Sequence, residues 1–292
     1  MRIAYLGPAG TFSEGAVRAA AADLVVDPLP LGTVHEAIAA VSDGEADLAL
    51  VPFENSIEGS VRPTLDALAF DVEGVAIAGE HDQPIRHSLI AREAIALERI
   101  TRVASHPQVL AQCARFVRRE LPAAKPVPSP SSAEAIRTVG ASPDPWAAIG
   151  PAATAAIYGC TVLRDGIEDE PGNVTRFIWI APAAAEVDGA GPWRTTLVFS
   201  ELGEDHPGAL VDALTEFSRR AVNLTRIESR PLRRGLGRYM FFVDLEGRDR
   251  DPDVAEAIAG LRTKAESVRI LGSYPVGELG VRRAAPPGST GG

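Results

Sequence analysis

Strands alternating with helices over the first 182 residues, followed by a unit whose elements run βαββαβ, predict an α/β protein with two domains. The first carries largely parallel sheets and the second is a smaller ferredoxin-like unit. A length of 292 residues agrees with this, at the usual size of roughly 150 residues per domain. Between them lies a small-residue stretch, Pro182-Ala183-Ala184-Ala185 with Gly189, Gly191 and Pro192 beyond it, of the kind that joins domains. The reading is therefore a first domain over residues 1–182, a second over 194–276, and a disordered tail over 277–292, where Gly, Pro, Ala, Ser, Thr and charged residues dominate.

The chain opens on an apolar strand, Ile3-Ala4-Tyr5-Leu6, then a Gly7-Pro8-Ala9-Gly10 loop and a helix starting near Thr11 to Ser13. Thr33-Val34-His35-Glu36 has the form of a capping box, so a helix runs to about Ser42 with Gly44 past its end. Asp47 to Pro52 reads as a buried strand stopped by proline. A strand near Arg102 to Ala104, a helix from Pro107 to Glu120, a second capping box at Ser131 and Glu134, a helix opening at Pro151 and a strand from Val174 to Ala181 continue the alternation.

In the second unit Thr195 to Ser200 is a strand, and Gly208 to Arg220 is a helix with Leu210, Leu214, Phe217 and Ala221 at helical spacing. Leu224 to Arg230 and Tyr239 to Leu245 are strands around a Gly235-Leu236-Gly237 turn. A helix carrying Val254, Ile258, Leu261 and Ala265 and a strand from Val268 to Tyr274 complete it.

Lys and Arg number 29 against 39 Asp and Glu, a net charge of −10, which argues against nucleic acid or an anionic membrane as the main partner. The one basic cluster, Arg230, Arg233, Arg234 and Arg238, reads as a solvated turn. Cys113 and Cys160 cannot build a disulfide framework, and neither sits at metal-ligand spacing with the five histidines. The apolar stretch after Met1 and Arg2 ends at Gly7-Pro8, and nowhere do about 18 apolar residues run together. The expectation is a cytoplasmic protein without a metal.

Four segments carry chemistry. The Gly7 to Ser13 loop brings backbone N–H groups and the Thr11 and Ser13 hydroxyls to a helix N-terminus, either as an anion site or as a plain cap. It lacks the lysine of a P-loop and the spacing of a dinucleotide fingerprint. Glu54, Asn55, Ser56 and Ser60 crowd the end of an apolar strand, where open α/β sheets bind ligands. Ser105-His106-Pro107-Gln108 opens a helix on which Gln112 shares a face with Gln108, with His106 either a base or an orienting cap. In Gly172 to Phe177, strand alternation puts Asn173, Thr175 and Phe177 on one face and Arg176 on the other. Asn and Thr beside an apolar run need hydrogen-bonding partners if buried.

Taken together and in this order, Gly7-Pro8-x-Gly10-Thr11-Phe12-Ser13, Val51-Pro52-x-Glu54-Asn55-Ser56, Ser105-His106-Pro107-Gln108 and Asn173-x-Thr175-Arg176-Phe177 resemble the prephenate dehydratase family. Ala148 to Ala153 is similar to the family's helix opening between the last two. The second domain resembles the ACT domain that follows the catalytic domain there, with Gly208-Ala209-Leu210-Val211 and Glu228-Ser229-Arg230-Pro231 matching its two phenylalanine-binding motifs.

The resemblance implies a first domain of two lobes, like periplasmic binding proteins, with the site in the cleft between them. Lobe one would be about Met1 to Glu80 plus the segment returning after Thr161. It implies conversion of prephenate to phenylpyruvate with no cofactor, Thr175 as the catalytic group, and Glu54, Asn55, Ser105 and Gln112 in the active site. Thr11, Ser13, Asn173, Arg176 and Phe177 would hold the substrate. A proton relay from Glu54 to Thr175 is a further expectation, drawn from the weak acidity of a threonine hydroxyl and not from the resemblance. Phenylalanine as effector, bound between the ACT domains of two chains, implies a homodimer or homotetramer. An arogenate dehydratase and a non-catalytic ligand sensor are the competing readings.

Overall fold

The computed structural model describes residues 1–203 and 207–281. Lobe one comprises β1 (Arg2–Leu6), α1 (Phe12–Ala20), β2 (Asp27–Leu31), α2 (Val34–Ser42), β3 (Leu48–Asn55), β4 (Gly59–Ser60), α3 (Arg62–Asp66) and β5 (Val75–Pro84). Lobe two follows with β6 (Ser88–Ala91), β7 (Arg102–Ser105), α4 (Pro107–Gln112), α5 (Ala114–Glu120), β8 (Lys125–Pro128), α6 (Ser132–Ala141), β9 (Trp146–Gly150), α7 (Ala152–Ile157) and β10 (Thr161–Arg164). The chain then returns to lobe one as β11 (Val174–Pro182). The first sheet has the order β2-β1-β3-β11-β5, with β4 on β3, and the second the order β10-β6-β9-β7-β8.

Both capping boxes form helix starts as the spacing predicts: Thr33 and Glu36 cap each other reciprocally, and the Ser131 hydroxyl accepts from the Glu134 N–H. The helix expected from Pro107 to Glu120 is broken at Cys113, because Asp169 intervenes. Its N–H donates to the Gln112 carbonyl at 2.7 Å, and its carboxylate accepts from the Arg115 N–H and caps α5. β2 and β8 escape sequence reading because each holds two prolines, which an outer strand tolerates where no neighbour needs the missing N–H.

The sheets are more mixed than expected: β11 runs antiparallel to both neighbours, since it re-enters lobe one from the far side. β10 pairs with β6 in lobe two, so the return falls after Arg164 rather than at Thr161. The two crossing segments are tied to each other, Ile85 N–H to the Asn173 carbonyl at 2.8 Å and Ile167 N–H to the His87 carbonyl at 3.0 Å.

The second domain is β12 (Trp193–Ser200), α8 (Ala209–Ser218), β13 (Leu224–Pro231), β14 (Tyr239–Glu246), α9 (Pro252–Leu261) and β15 (Ser267–Pro275), in the sheet order β13-β14-β12-β15. One face of the sheet buries Leu197, Phe199, Val243 and Leu245 against α8 and α9. The other face sends Val198, Met240, Phe242, Leu271 and Tyr274 into the core cluster that holds Ile77, Ile178 and Ile180 of lobe one. The two sequence units thus share a core. Gly272 allows the closest approach, since a Cβ there would collide with the Ile77 carbonyl of β5.

Two expectations change here. The first residues of the tail are ordered against lobe one: Leu279 bridges to Gly79 and Val281 to Val187, while 282–292 lie outside the described residues. The basic cluster is not a free solvated turn. Arg230 pairs with Asp66 at 2.8 Å, Arg233 with Asp66 at 3.0 Å and Arg234 with Glu201 at 3.2 Å.

Candidate active site

β3 is apolar from Leu48 to Val51 because it runs through the centre of the lobe-one sheet, and it turns polar where it leaves the core. Antiparallel pairing with β11 sets Thr175 opposite Asn55. The Asn55 amide nitrogen donates to Asn173 Oδ1 at 2.7 Å and to Thr175 Oγ1 at 2.9 Å. Its carbonyl oxygen accepts from the Ile57 and Glu58 N–H groups, both at 3.0 Å, closing a local turn. Ser56 Oγ accepts from the Val174 N–H at 3.0 Å. Thr175 is buried and its oxygen serves as an acceptor, so its own hydrogen stays available to an incoming oxygen.

At the same end of the sheet, α1 begins directly after β1. Thr11 caps it, and Thr11, Phe12 and Ser13 line a cleft of about 1080 Å³ between the lobes. Lobe two contributes His106, Gln108 and Ser129 to Ser132. The N-terminus of α1 is partly occupied: the buried Glu14 carboxylate accepts from the Gly10 N–H at 2.5 Å and pairs with Arg18. The Thr11 hydroxyl is engaged as well: it donates to the Leu6 carbonyl at 3.2 Å and accepts from the Glu14 N–H at 3.4 Å, so it is a cap and not a donor into the cleft.

The lobes touch across the cleft. Gln112 Nε2 donates to Glu58 Oε1 at 3.0 Å, Thr154 Oγ1 to the Gly10 carbonyl at 2.5 Å and Tyr158 to the Ala9 carbonyl at 3.3 Å. His87, on the first crossing segment, places Nε2 at 2.9 Å from Gln112 Oε1 and meets the Phe12 ring edge-on at 5.4 Å between centroids. With Gln112 Oε1 as the acceptor, Nε2 carries the hydrogen. Burial pushes the His87 imidazole below its ordinary value, opposed by the Gln112 bond and by Glu168, so the ring is neutral. Gln112, Glu58 and Asn173 also line a smaller cavity of about 300 Å³ with Glu168 and Asp169.

Asn55, Asn173 and Thr175 thus gather at the end of the β3–β11 pair, and Gln112 reaches the same end through Glu58. Several other candidates fall elsewhere. Ser105 is fully buried inside lobe two, where it donates to the Ile149 carbonyl at 2.6 Å and meets Ser132 Oγ at 3.2 Å. Phe177 packs in the core beside Tyr5 and Trp179. Arg176 and Glu54 pair with each other at 2.9 Å on the opposite face of the strands. Arg176 therefore does not reach into the cleft, and the Glu54 relay to Thr175 has no path.

In the second domain, alternation along β13 splits the Glu228 to Pro231 motif. Ser229 and Pro231 are exposed, while Arg230 points to lobe one and Asp66. On α8, Gly208 takes a left-handed φ of 99°, Ala209 and Leu210 are half-buried, and Val211 is exposed. His87, Glu58 and Ser129 to Ser131 were not singled out from the sequence. A histidine entering the apolar Ser88–Ala91 strand was the available signal for the first; Ser131 reads as a cap alone until the fold brings it to the cleft. Among the described residues no group of three or more His, Cys, Asp or Glu is placed to hold a metal ion. Burial pushes the Cys113 thiol up to about 12, leaving it a core residue.

A two-lobed α/β domain with a hydroxyl- and amide-lined cleft, backed by a ferredoxin-like domain sharing its core, defines a class of cleft enzymes with an attached ACT domain. Known families resolve it further: the prephenate dehydratase model matches residues 3–185 and the ACT domain model residues 198–263. The chain belongs to the prephenate dehydratase family. It is 41% identical to a prephenate dehydratase of Mycolicibacterium vanbaalenii, covering 98% of this chain and 94% of that one. The crystal structure of the prephenate dehydratase from Arthrobacter aurescens in complex with L-Phe superposes with a TM-score of 0.86 at 40% identity, over 98% of this chain and 94% of its own. GqqA, described as a novel type of quorum-quenching acylase, has a TM-score of 0.83 at 32% identity, over 94% of this chain and 98% of its own. The fold alone therefore does not name the reaction.

Proposed function

We infer that the chain is a prephenate dehydratase, a carbon–oxygen lyase that turns prephenate into phenylpyruvate, water and carbon dioxide. Support comes from the family membership and from one observation in the site: Asn55 donates to Thr175 Oγ1, which leaves the threonine hydrogen free to donate outward.

The ring hydroxyl of prephenate departs with a proton as water. The bond to the ring carboxylate breaks, carbon dioxide leaves, and the electron pair completes the aromatic ring. Aromatisation drives the step, so the protein has to hold the substrate and ease departure of the hydroxyl. Thr175 donates a hydrogen bond to that leaving oxygen. A threonine hydroxyl is a weak acid, so it acts by stabilising developing negative charge, with water completing the proton transfer. The substrate carboxylates meet backbone N–H groups at the start of α1, the Ser13 hydroxyl and the serines at Ser129 to Ser131 across the cleft, while the Thr11 hydroxyl stays with the Leu6 carbonyl. The proposed chemistry uses no cofactor.

Phenylalanine acts as the feedback inhibitor, bound between the ACT domains of two chains in a homodimer or homotetramer. Gly208 to Val211 of one chain and Ser229 of the other form the site; Arg230, engaged with Asp66, stands outside it. Exposed Val211 and Ile227 support a surface that a second chain covers. No described helix is long and apolar enough to cross a membrane, and the proposed location is the cytoplasm.

Incubation with prephenate, following phenylpyruvate by absorbance with and without phenylalanine, tests the reading. Rapid product formation suppressed by phenylalanine is the expected result. Binding without turnover would make the chain a sensor, and a higher kcat/KM for arogenate would change the substrate.

A further inference from the structure

The face of the β3–β11 pair turned away from the cleft is bound to the second domain through charges. Arg176, next to Thr175 but pointing the other way, reaches Glu54 of β3 at 2.9 Å, Glu80 of β5 at 3.3 Å and Asp244 of β14 at 2.5 Å. Glu80 also pairs with Arg194 of β12. From β13, Arg226 donates to Ser60 Oγ at 2.6 Å and lies 3.8 Å from Glu54 Oε1.

Asp244 is fully buried on an internal strand of the second domain. Its other oxygen accepts from Thr196 at 2.8 Å, whose hydroxyl lies 2.9 Å from Tyr274. A carboxylate without water is costly unless paired, and among the described residues its ion-pair partner is Arg176, from the first domain. Burial works most strongly against the charged Arg176, but Asp244, Tyr274 and Glu80 together outweigh it and hold the guanidinium above its ordinary value. Each domain buries a charge that the other completes.

The ladder between β3 and β11 shifts at this point. Arg176 pairs with Glu54 but Phe177 with Pro52, leaving Phe53 as an extra residue on β3. Such bulges re-aim neighbouring side chains. Phe53 is fully buried beneath two guanidinium groups, Arg176 at 5.0 Å and Arg226 at 4.7 Å from its ring centroid, one from each domain. Two residues beyond Phe53 is Asn55, which orients Thr175.

We propose that Asp244 and Arg176 are positioning residues for Thr175: the second domain, through this ion pair and the clamp on Phe53, sets the register of β11 against β3 and hence the aim of the Asn55–Thr175 pair. The inference rests on the reading of Thr175 as the catalytic group. It gives the second domain a route to the chemistry that involves no contact with the cleft.

The test uses the full chain and the variant Asp244→Asn, which keeps an acceptor for Thr196 and removes the charge. Misaiming a catalytic group costs about 10–100-fold in rate, so kcat for prephenate falls by about that factor while KM stays within about threefold. The control is Asp66→Asn, which removes the domain contact to Arg230 and Arg233 far from β11; its kcat stays within about twofold of wild type. An Asp244→Asn protein with native near-ultraviolet circular dichroism and unchanged kcat overturns the proposal, as does an equal kcat loss in both variants. Should Asp244→Asn not fold, Glu54→Gln decides, because that side chain is 38% exposed and tolerates the change. A kcat reduced by about fivefold at constant KM supports the proposal, and an unchanged kcat overturns it. A wild-type chain that forms no phenylpyruvate overturns both this and the proposed function, whereas an active wild type with insensitive variants overturns the positioning role alone.

Discussion

Alternate residues of the same two strands build two faces of opposite chemistry. On one face Asn55, Asn173 and Thr175, of which Asn173 lines the smaller cavity beside Gln112, form an uncharged set in which each amide has a partner and one hydroxyl hydrogen remains to be used. On the other, Glu54 and Arg176 join a buried cluster of charges that welds lobe one to the second domain. The difference teaches that charge here serves holding rather than bond breaking. A slip of one residue in β11 would exchange the faces, carrying Arg176 into the cleft and Thr175 into the cluster. Burying Asp244 without its arginine makes that slip expensive.

The comparison breaks most visibly at Thr175. Thr175→Ala removes the donor, and kcat is expected to fall about 100–1000-fold, the usual loss for a donor aimed at developing charge. KM changes little, because the rest of the cleft is untouched. Thr175→Ser keeps most of the rate. Single-turnover rates of phenylpyruvate formation for the two variants are the measurement; a fully active Thr175→Ala protein removes the site from this face altogether.

Next in size is Asn55→Asp, which keeps the shape and reverses the direction of the hydrogen bond. A carboxylate accepts, so Thr175 must donate to residue 55 and its hydrogen is withdrawn from the cleft. The expected loss in kcat is about 10–100-fold, with thermal stability lowered by about 1–3 kcal/mol because Asn173 Oδ1 loses its 2.7 Å donor and is left with Ser56 Oγ at 3.4 Å. An Asn55→Asp rate equal to wild type would mean that the orientation of Thr175 does not depend on this bond.

How far the sequence reveals these faces depends on the kind of signal. Alternation along β11 separates Thr175 from Arg176 without a structure, since a strand has a fixed period of two. The helix caps at Thr33 and Ser131 are legible because their signals are local. What Arg176 and Glu54 touch is not legible: their partners Glu80, Arg226 and Asp244 lie far off in the chain and join only when the second domain packs on lobe one. Ser105 misleads for the same reason, because a hydroxyl at a strand end looks alike whether it faces a cleft or the Ile149 carbonyl. His87 goes unread because one histidine in an apolar stretch carries no pattern.

That histidine extends the uncharged face across the lobes, and it offers the smallest effect and the sharpest sign. Its ring is fully buried, hydrogen-bonded to Gln112, which in turn binds Glu58 of lobe one. Burial holds the folded-state value below the ordinary 6.5, against the opposing pull of Gln112 and Glu168. Below about pH 6.5 the unfolded chain takes up a proton that the folded chain refuses, so stability is intact above that pH and declines as the pH falls toward the folded-state value. The melting temperature of the wild type is therefore expected to drop between about pH 7 and pH 5.5 by more than that of His87→Gln, which has no proton to gain. Equal slopes in the two proteins would mean that the ring titrates alike in the folded and unfolded chains, as an imidazole open to water does, and a shallower fall in the wild type than in His87→Gln would mean that the ring is charged when folded. In that last case the site would hold a cation on the face of neutral groups, and the contrast between the two sides of β11 would have to be redrawn.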